Sequence, residues 1–166
     1  MNVTFKLLLN VKSPMEGKRY VEDLSNLSVC VSASHLLDIY HLQTGVHKAI
    51  YNYQSSLIKT KSLANEVLYQ LSPTSKINIG VSQYEVNESS TYVVIVLIGD
   101  KLESSVEDEI KQRFGADEVD INRLSSFLDE SKISIITKLF KVSEEELKIS
   151  SLSSAVMMRI AVKDFI

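Results

Sequence analysis

The chain has 166 residues, 45% apolar and 23% charged, with one cysteine and a formal net charge of −3. This predicts one folded domain, residues 1–166, with a core that needs no staples, and it excludes a disulfide framework and a uniformly basic nucleic-acid module. The charge is lopsided: residues 1–83 carry 8 Lys/Arg and 5 Asp/Glu, residues 84–166 carry 10 and 16. The first half suits a phosphate-bearing partner that the second would repel, although ordinary solvated surface gives the same numbers.

Residues 3–9 read as a first strand. Lys6 lies inside it and no small-residue cleavage site follows, which argues against a signal peptide. Ser13-Pro14 breaks the strand, and residues 15–24 predict a short helix with Tyr20, Val21 and Leu24 on one side. Residues 27–31 predict a second strand. Its Cys30 reads as a small core residue rather than a nucleophile, and a lone cysteine fits a reducing compartment. Ser34 is placed to cap a long helix over 36–53. Its buried side would be Leu36, Leu37, Tyr40, Val46, Ala49, Ile50 and Tyr53, with Gly45 as a weak spot. His35, His41 and His47 turn about 240° from one to the next at 3.6 residues per turn, so they diverge too far to share a metal. They read as surface or packing residues.

Lys59, Thr60, Lys61 and Ser62 form a positive, hydroxyl-rich loop that enters a helix over 63–71, capped by Ser62. Leu63, Val67, Leu68 and Leu71 make its apolar stripe, and Glu66 and Gln70 lie off it. Pro73 ends that helix. Thr74 or Ser75 caps the next, 77–84, where Gly80 weakens the helix or marks close packing. Two polar helix starts around one apolar segment suit an anion. Lys59 and Lys61 would hold it, joined by Lys48 and Lys76 if the flanking helices pack nearby. Tyr51, Tyr53, Tyr69 and Tyr84 offer stacking faces for unpaired bases. A solvated lysine loop with core tyrosines accounts for the same residues.

Residues 87–90 read as a turn and 91–98 as a strand. Its apolar run is too short to cross a bilayer, so no membrane association is expected. Residues 103–114 predict a helix facing inward through Val106, Ile110 and Phe114, and 119–121 a short strand. Asn122 caps a helix through Leu128, and 131–140 is another, with Ile133, Ile136 and Phe140 inward. Ser143 and Glu146 make a capping box for an acidic helix start. The last helix, 150–164, is apolar on two sides: Ile149, Leu152, Val156 and Ile160 on one, Met158, Ala161, Val162 and Phe165 on the other. Such a helix is buried all round or meets a partner. Its terminal position and Met157–Met158 favour a partner. Sequons at Asn2, Asn26 and Asn87 read as chance.

These elements predict an α/β (α+β) domain, with a small mixed or antiparallel sheet of about 4–5 strands surrounded by about 7–8 helices. No glycine-rich phosphate loop, nucleophile elbow, H-E-x-x-H or paired cysteines occur. No catalytic residue, metal ligand or cofactor is expected.

The order and spacing of several segments resemble one family. They are H-K-A-I-Y-N-Y (47–53), K-T-K-S-L-A-N-E-V-L-Y-Q-L-S-P-T-S-K-I (59–77), the strand 91–98, K-L-F-K-V-S (138–143) and A-V-M-M-R-I-A-V-K-D-F-I (155–166). Together they resemble the kinase-binding subunit of the KEOPS (EKC) complex, the PRPK-binding protein family, TPRKB. Residues 103–120 are the least similar. Gly80 stands where the family usually has alanine, and Glu85 where glycine commonly follows the aromatic residue.

The resemblance implies a non-catalytic α/β subunit without a cofactor. Such a subunit binds a small atypical Ser/Thr kinase-like ATPase directly and the threonylcarbamoyl-transferase subunit indirectly. The complex makes the threonylcarbamoyladenosine beside the anticodon of ANN-decoding tRNAs. In archaeal relatives this subunit also grips the single-stranded 3′ CCA end of tRNA, and some fungal relatives are linked to telomere maintenance and transcription. A cytoplasmic location is implied, and a nuclear one in a eukaryote. On this sequence, kinase docking falls to Met158, Arg159, Ala161, Val162 and Phe165, and tRNA contact to Lys48, Lys59, Lys61 and Lys76. Two other classes fit the residues: a stand-alone single-stranded RNA-binding module, and a small-molecule-binding or enzymatic α/β domain.

Overall fold

Among the described residues four strands carry the β-structure: β1 (Val3–Leu9), β2 (Ser28–Ser32), β3 (Val93–Ile98) and β4 (Asp117–Val119). The helices are α1 (Pro14–Leu24), α2 (Ile39–Gln54), α3 (Leu63–Gln70), α4 (Ile77–Tyr84), α5 (Ser104–Phe114), α6 (Glu130–Leu139), α7 (Glu144–Ile149) and α8 (Leu152–Val162). Short 3-10 segments cover Ala33–His35, Ile121–Phe127 and Lys163–Phe165. This computed structural model describes residues 1–24 and 27–165, so the Asn26 sequon and the closing Ile166 lie outside the described residues. The chain divides into two units, Met1–Ser34 with Glu85–Ile121, and His35–Tyr84 with Asn122–Ile166. Among the described residues no helix is long and apolar enough to cross a membrane.

The first unit holds an antiparallel sheet in the order β2-β3-β1-β4. β3 is buried at every position, as an unbroken V-V-I-V-L-I run requires. It pairs with β1 from Val3↔Ile98 to Leu8↔Val93 and with β2 from Ser28↔Leu97 to Ser32↔Val93. β4 pairs Val119 with Leu7, two residues earlier in the chain than expected. The Val119/Ile121 alternation misplaced it, because Ile121 already belongs to the following 3-10 segment. Lys6 draws this acidic edge in, with ion pairs to Glu107 at 3.3 Å and Glu118 at 3.4 Å. Cys30 is buried beside Leu8, Val21, Ile95, Ile110 and Phe114, the core of this unit, with Tyr20 and Leu24 packed against it. Gly17 lets α1 approach α5, since a Cβ there would overlap the Phe114 ring. Glu85 pairs with Lys18 at 3.0 Å.

The second unit is helical. α2 begins three residues later than expected. Asp38, not Ser34, is its N-cap, accepting from the His41 amide at 2.9 Å. Leu36 and Leu37 are buried, but ahead of the helix. Tyr40 and Tyr53, expected inward, are exposed, and His41, Leu42, Gly45 and Asn52 take the inner face. Hydropathy misread that face because two of its members are polar with internal partners and one is a glycine packed on Leu71. Ser62 caps α3 as expected, accepting from the Asn65 amide at 3.2 Å. α4 packs close to α3, where a Cβ on Gly80 would lie 3.2 Å from the Tyr69 ring and 3.3 Å from Ser72.

α6 starts at Glu130, one residue earlier than expected, with Asp129 as its cap, and of its inward trio Ile136 and Phe140 are buried while Ile133 is exposed. Ser143 caps α7 as the capping box required. The last helix is shorter than expected. Ser151 caps it, and Ile149 belongs to α7 and is exposed. The core here is Leu37, Ile136, Phe140, Val142, Ala155, Val156 and Ile160. His41 stands edge-on to Phe140 at 5.3 Å and Tyr84 at 5.8 Å.

Candidate functional site

The lysine loop before α3 already holds an anion, and that anion is internal. Glu66, read as lying off the apolar stripe, is 0% exposed. Its Oε2 accepts from the Lys59 amide (3.0 Å), the Thr60 amide (3.2 Å) and the Thr60 hydroxyl (3.0 Å). Its Oε1 accepts from Asn52 Nδ2 (3.2 Å) and Gln70 Nε2 (2.8 Å). A buried carboxylate needs such a set of donors. The Lys59 and Thr60 amides of the loop are therefore occupied by the chain's own carboxylate.

The loop's lysine points to another carboxylate. Lys59 Nζ donates to Asp164 Oδ1 at 2.6 Å. Lys48 Nζ, on α2, meets Asp164 Oδ2 at 3.1 Å and donates to the Ile160 carbonyl at 2.6 Å. Burial works against the Asp164 carboxylate, but its bonds from Lys59 and Lys48 outweigh that and hold its pKa below the usual range. The bond to Asp164 likewise raises the Lys59 pKa. Of the four lysines assigned to tRNA, these two converge, but on the chain's own aspartate. Lys61 and Lys76 are exposed and make no ion pair among the described residues.

Lys163 was not singled out by sequence reasoning. It is 6% exposed, and its Nζ donates to the carbonyls of Tyr69 (2.6 Å) and Ser72 (2.9 Å), 3.6 Å from the centre of the Tyr69 ring. It thus caps the C-terminal end of α3. Burial lowers its pKa to about 7, with Lys48 adding to the effect. The one available signal was that it continues the buried side of α8 three residues after Ile160. Tyr69 and Tyr84 are core residues, whereas Tyr51 and Tyr53 stay exposed, so half of the stacking candidates are lost.

The outer side of α8 is apolar and open. Met158 is 61% exposed, Phe165 is 88% exposed, Ala161 is exposed and Val162 half-buried. Arg159 turns away to a two-point pair with Glu146, Nη1–Oε1 at 2.8 Å and Nη2–Oε2 at 2.7 Å, and donates to the Lys141 carbonyl at 3.1 Å. It braces α7 on α8, so this side of α8 is left to Met158, Ala161, Val162 and Phe165. Beside Ala161 and Phe165 lies a groove of about 640 Å³ that Tyr51 and Leu57 also line, with Lys48, Lys59 and Asp164 in its wall. A second cleft, about 540 Å³, is lined by Thr74, Ser75, Gln83, Lys141, Arg159 and Lys163 among others, and by no carboxylate. Among the described residues no group of three or more His, Cys, Asp or Glu is placed to hold a metal.

Residues 10–164 match the family described as kinase binding protein CGI-121. The chain is 29% identical over 162 residues to the EKC/KEOPS complex subunit TPRKB of Danio rerio, covering 98% of this chain and 91% of that protein. It is 19% identical over 156 residues to the EKC/KEOPS complex subunit CGI121 of Candida albicans, covering 87% and 76%. The subunit of the same name from Debaryomyces hansenii is 24% identical over 68 residues, covering 41% and 34%.

Proposed function

The chain belongs to the kinase binding protein CGI-121 family, and from that membership we propose that it is a non-catalytic scaffold and regulatory subunit of an EKC/KEOPS complex. It docks directly on the small atypical kinase-like ATPase and meets the threonylcarbamoyl-transferase subunit only through it, in the cytoplasm and, in a eukaryote, also in the nucleus. The observation that carries this reading is the open apolar side of α8, Met158, Ala161, Val162 and Phe165. Such a stripe gains from burial, at about 25 cal/mol per Å² before the losses of association. Pull-down of the cognate kinase by the full chain tests it. Met158→Asp should abolish capture, and undiminished capture would move the docking face elsewhere.

A second reading, tRNA contact within that complex, is favoured by the exposed Lys141 in the lining of the cleft of about 540 Å³, whose other two cations, Arg159 and Lys163, are held by Glu146 and by the Tyr69 and Ser72 carbonyls. Lys61 and Lys76 remain as exposed cations for a backbone. Contact of this kind should be weak alone and salt-sensitive. Binding of tRNA with and without its CCA end tests it, and equal binding would sink a grip on the tail. RNA binding by the isolated chain with no kinase contact would instead make it a stand-alone RNA module. An enzymatic role would need a reactive group, and the most perturbed lysine, Lys163, is engaged in capping α3.

A further inference from the structure

The 3-10 turn Lys163–Phe165 is anchored through two successive side chains. Lys163 reaches inward to the Tyr69 and Ser72 carbonyls. The next residue, Asp164, is gripped by Lys59 at 2.6 Å and Lys48 at 3.1 Å. Lys48 also donates to the Ile160 carbonyl in the last turn of α8. The lysine loop is itself fixed, because Glu66 accepts from the Lys59 and Thr60 amides. A continuous set of bonds therefore runs from α3 through the loop and Asp164 to the turn. Its outcome is unusual for an aromatic residue: Phe165 is held outward, 88% exposed, in the wall of the groove that Tyr51 and Leu57 also line.

We propose that Asp164, clamped between Lys48 and Lys59, is a positioning residue for kinase docking: it fixes the turn so that Phe165 extends the apolar side of α8 made by Met158 and Ala161. The inference rests on the docking reading above. Without the clamp the turn samples other arrangements and only a fraction of molecules presents Phe165 correctly. Apparent affinity falls in proportion to that fraction, so a competent share of about one-tenth weakens binding about tenfold.

The test is calorimetric titration of the full chain with its cognate kinase, paired with amide hydrogen exchange over residues 160–165. Asp164→Asn should bind about tenfold more weakly. It should exchange faster in this segment while its unfolding midpoint stays near that of the parent chain. Asp164→Glu should restore most of the affinity. Parent-like binding by Asp164→Asn, beside impaired Met158→Asp, overturns the inference and leaves the docking face standing. Weaker binding without faster exchange also overturns it, since Asp164 would then touch the kinase itself. Undiminished binding by Met158→Asp overturns the docking face and this inference with it. Should Asp164→Asn fail to fold, Lys59→Gln carries the test on the same two readouts, and parent-like results there overturn the inference.

Discussion

Glu66 and Lys163 are buried polar residues that tie segments of the second unit together, and neither stands out in a hydropathy pattern. Glu66 gathers donors from Asn52, Lys59, Thr60 and Gln70. Glu66→Gln puts an NH₂ against amide donors and should cost roughly 2–3 kcal/mol, the penalty for buried donors left without a charged acceptor, read as a lower urea midpoint. Lys163 titrates near 7 in the folded chain, chiefly through burial, against 10.5 when unfolded. Between those values the unfolded chain binds more protons, so this residue makes stability rise with pH from about 7. Glu66, Tyr69, Lys48, Lys59 and Asp164 surround it, so the check is comparative: Lys163→Met should flatten that slope in melts across the window. His41 works on the acid side. Its Nδ1 accepts from the Leu37 amide and its Nε2 donates to the Leu71 carbonyl, and burial lowers its pKa to about 4. The unfolded chain binds the proton first, so stability should fall as pH drops from about 6.5 towards 4. His41→Gln should lessen that fall. A period of 3.6 reveals which side a residue lies on, not whether a polar group there has found buried partners, and these three residues were therefore illegible.

Elements were far more legible. The apolar run of β3, the Ser62 and Ser143 caps and the inward Ile110 and Phe114 of α5 follow from local chemistry that tertiary packing did not override. Misses cluster at helix starts. Ser34 was read as the cap of α2, and the chain instead uses Asp38, whose carboxylate accepts from the His41 amide. Ile149 fitted the α8 stripe by spacing, but Ser151 starts a new helix after it. Helix approach is a property that no periodicity shows. Gly17 lets α1 meet Phe114 of α5, where any Cβ would overlap the ring. Gly17→Ala removes a flexible residue from a helix, which alone would stabilise, yet the overlap should dominate and cost roughly 1–3 kcal/mol. Thermal melts beside Gly115→Ala, which instead strains a left-handed helix end at φ 60°, separate crowding from backbone strain.

For the whole molecule, the candidate surface was legible where its residues are apolar and illegible where they are charged. Exposure of Met158 and Phe165 agrees with a helix read as apolar on two sides. The lysines read as free cations were in part internal ligands, because ion pairing joins residues far apart in sequence: Asp164 lies 105 positions from Lys59. Membership of the CGI-121 family makes binding of a kinase the central expectation. The proposed face for that contact is the outer side of α8, so titration of the full chain with its cognate kinase tests it most directly. Met158→Asp and Phe165→Ala should each lose at least about tenfold in affinity, in the range of a buried apolar contact replaced by charge or space. Ile149→Asp, on exposed α7, should bind as the parent does. Parent-like binding by Met158→Asp together with loss in Ile149→Asp would contradict the account and put the kinase on the other helix.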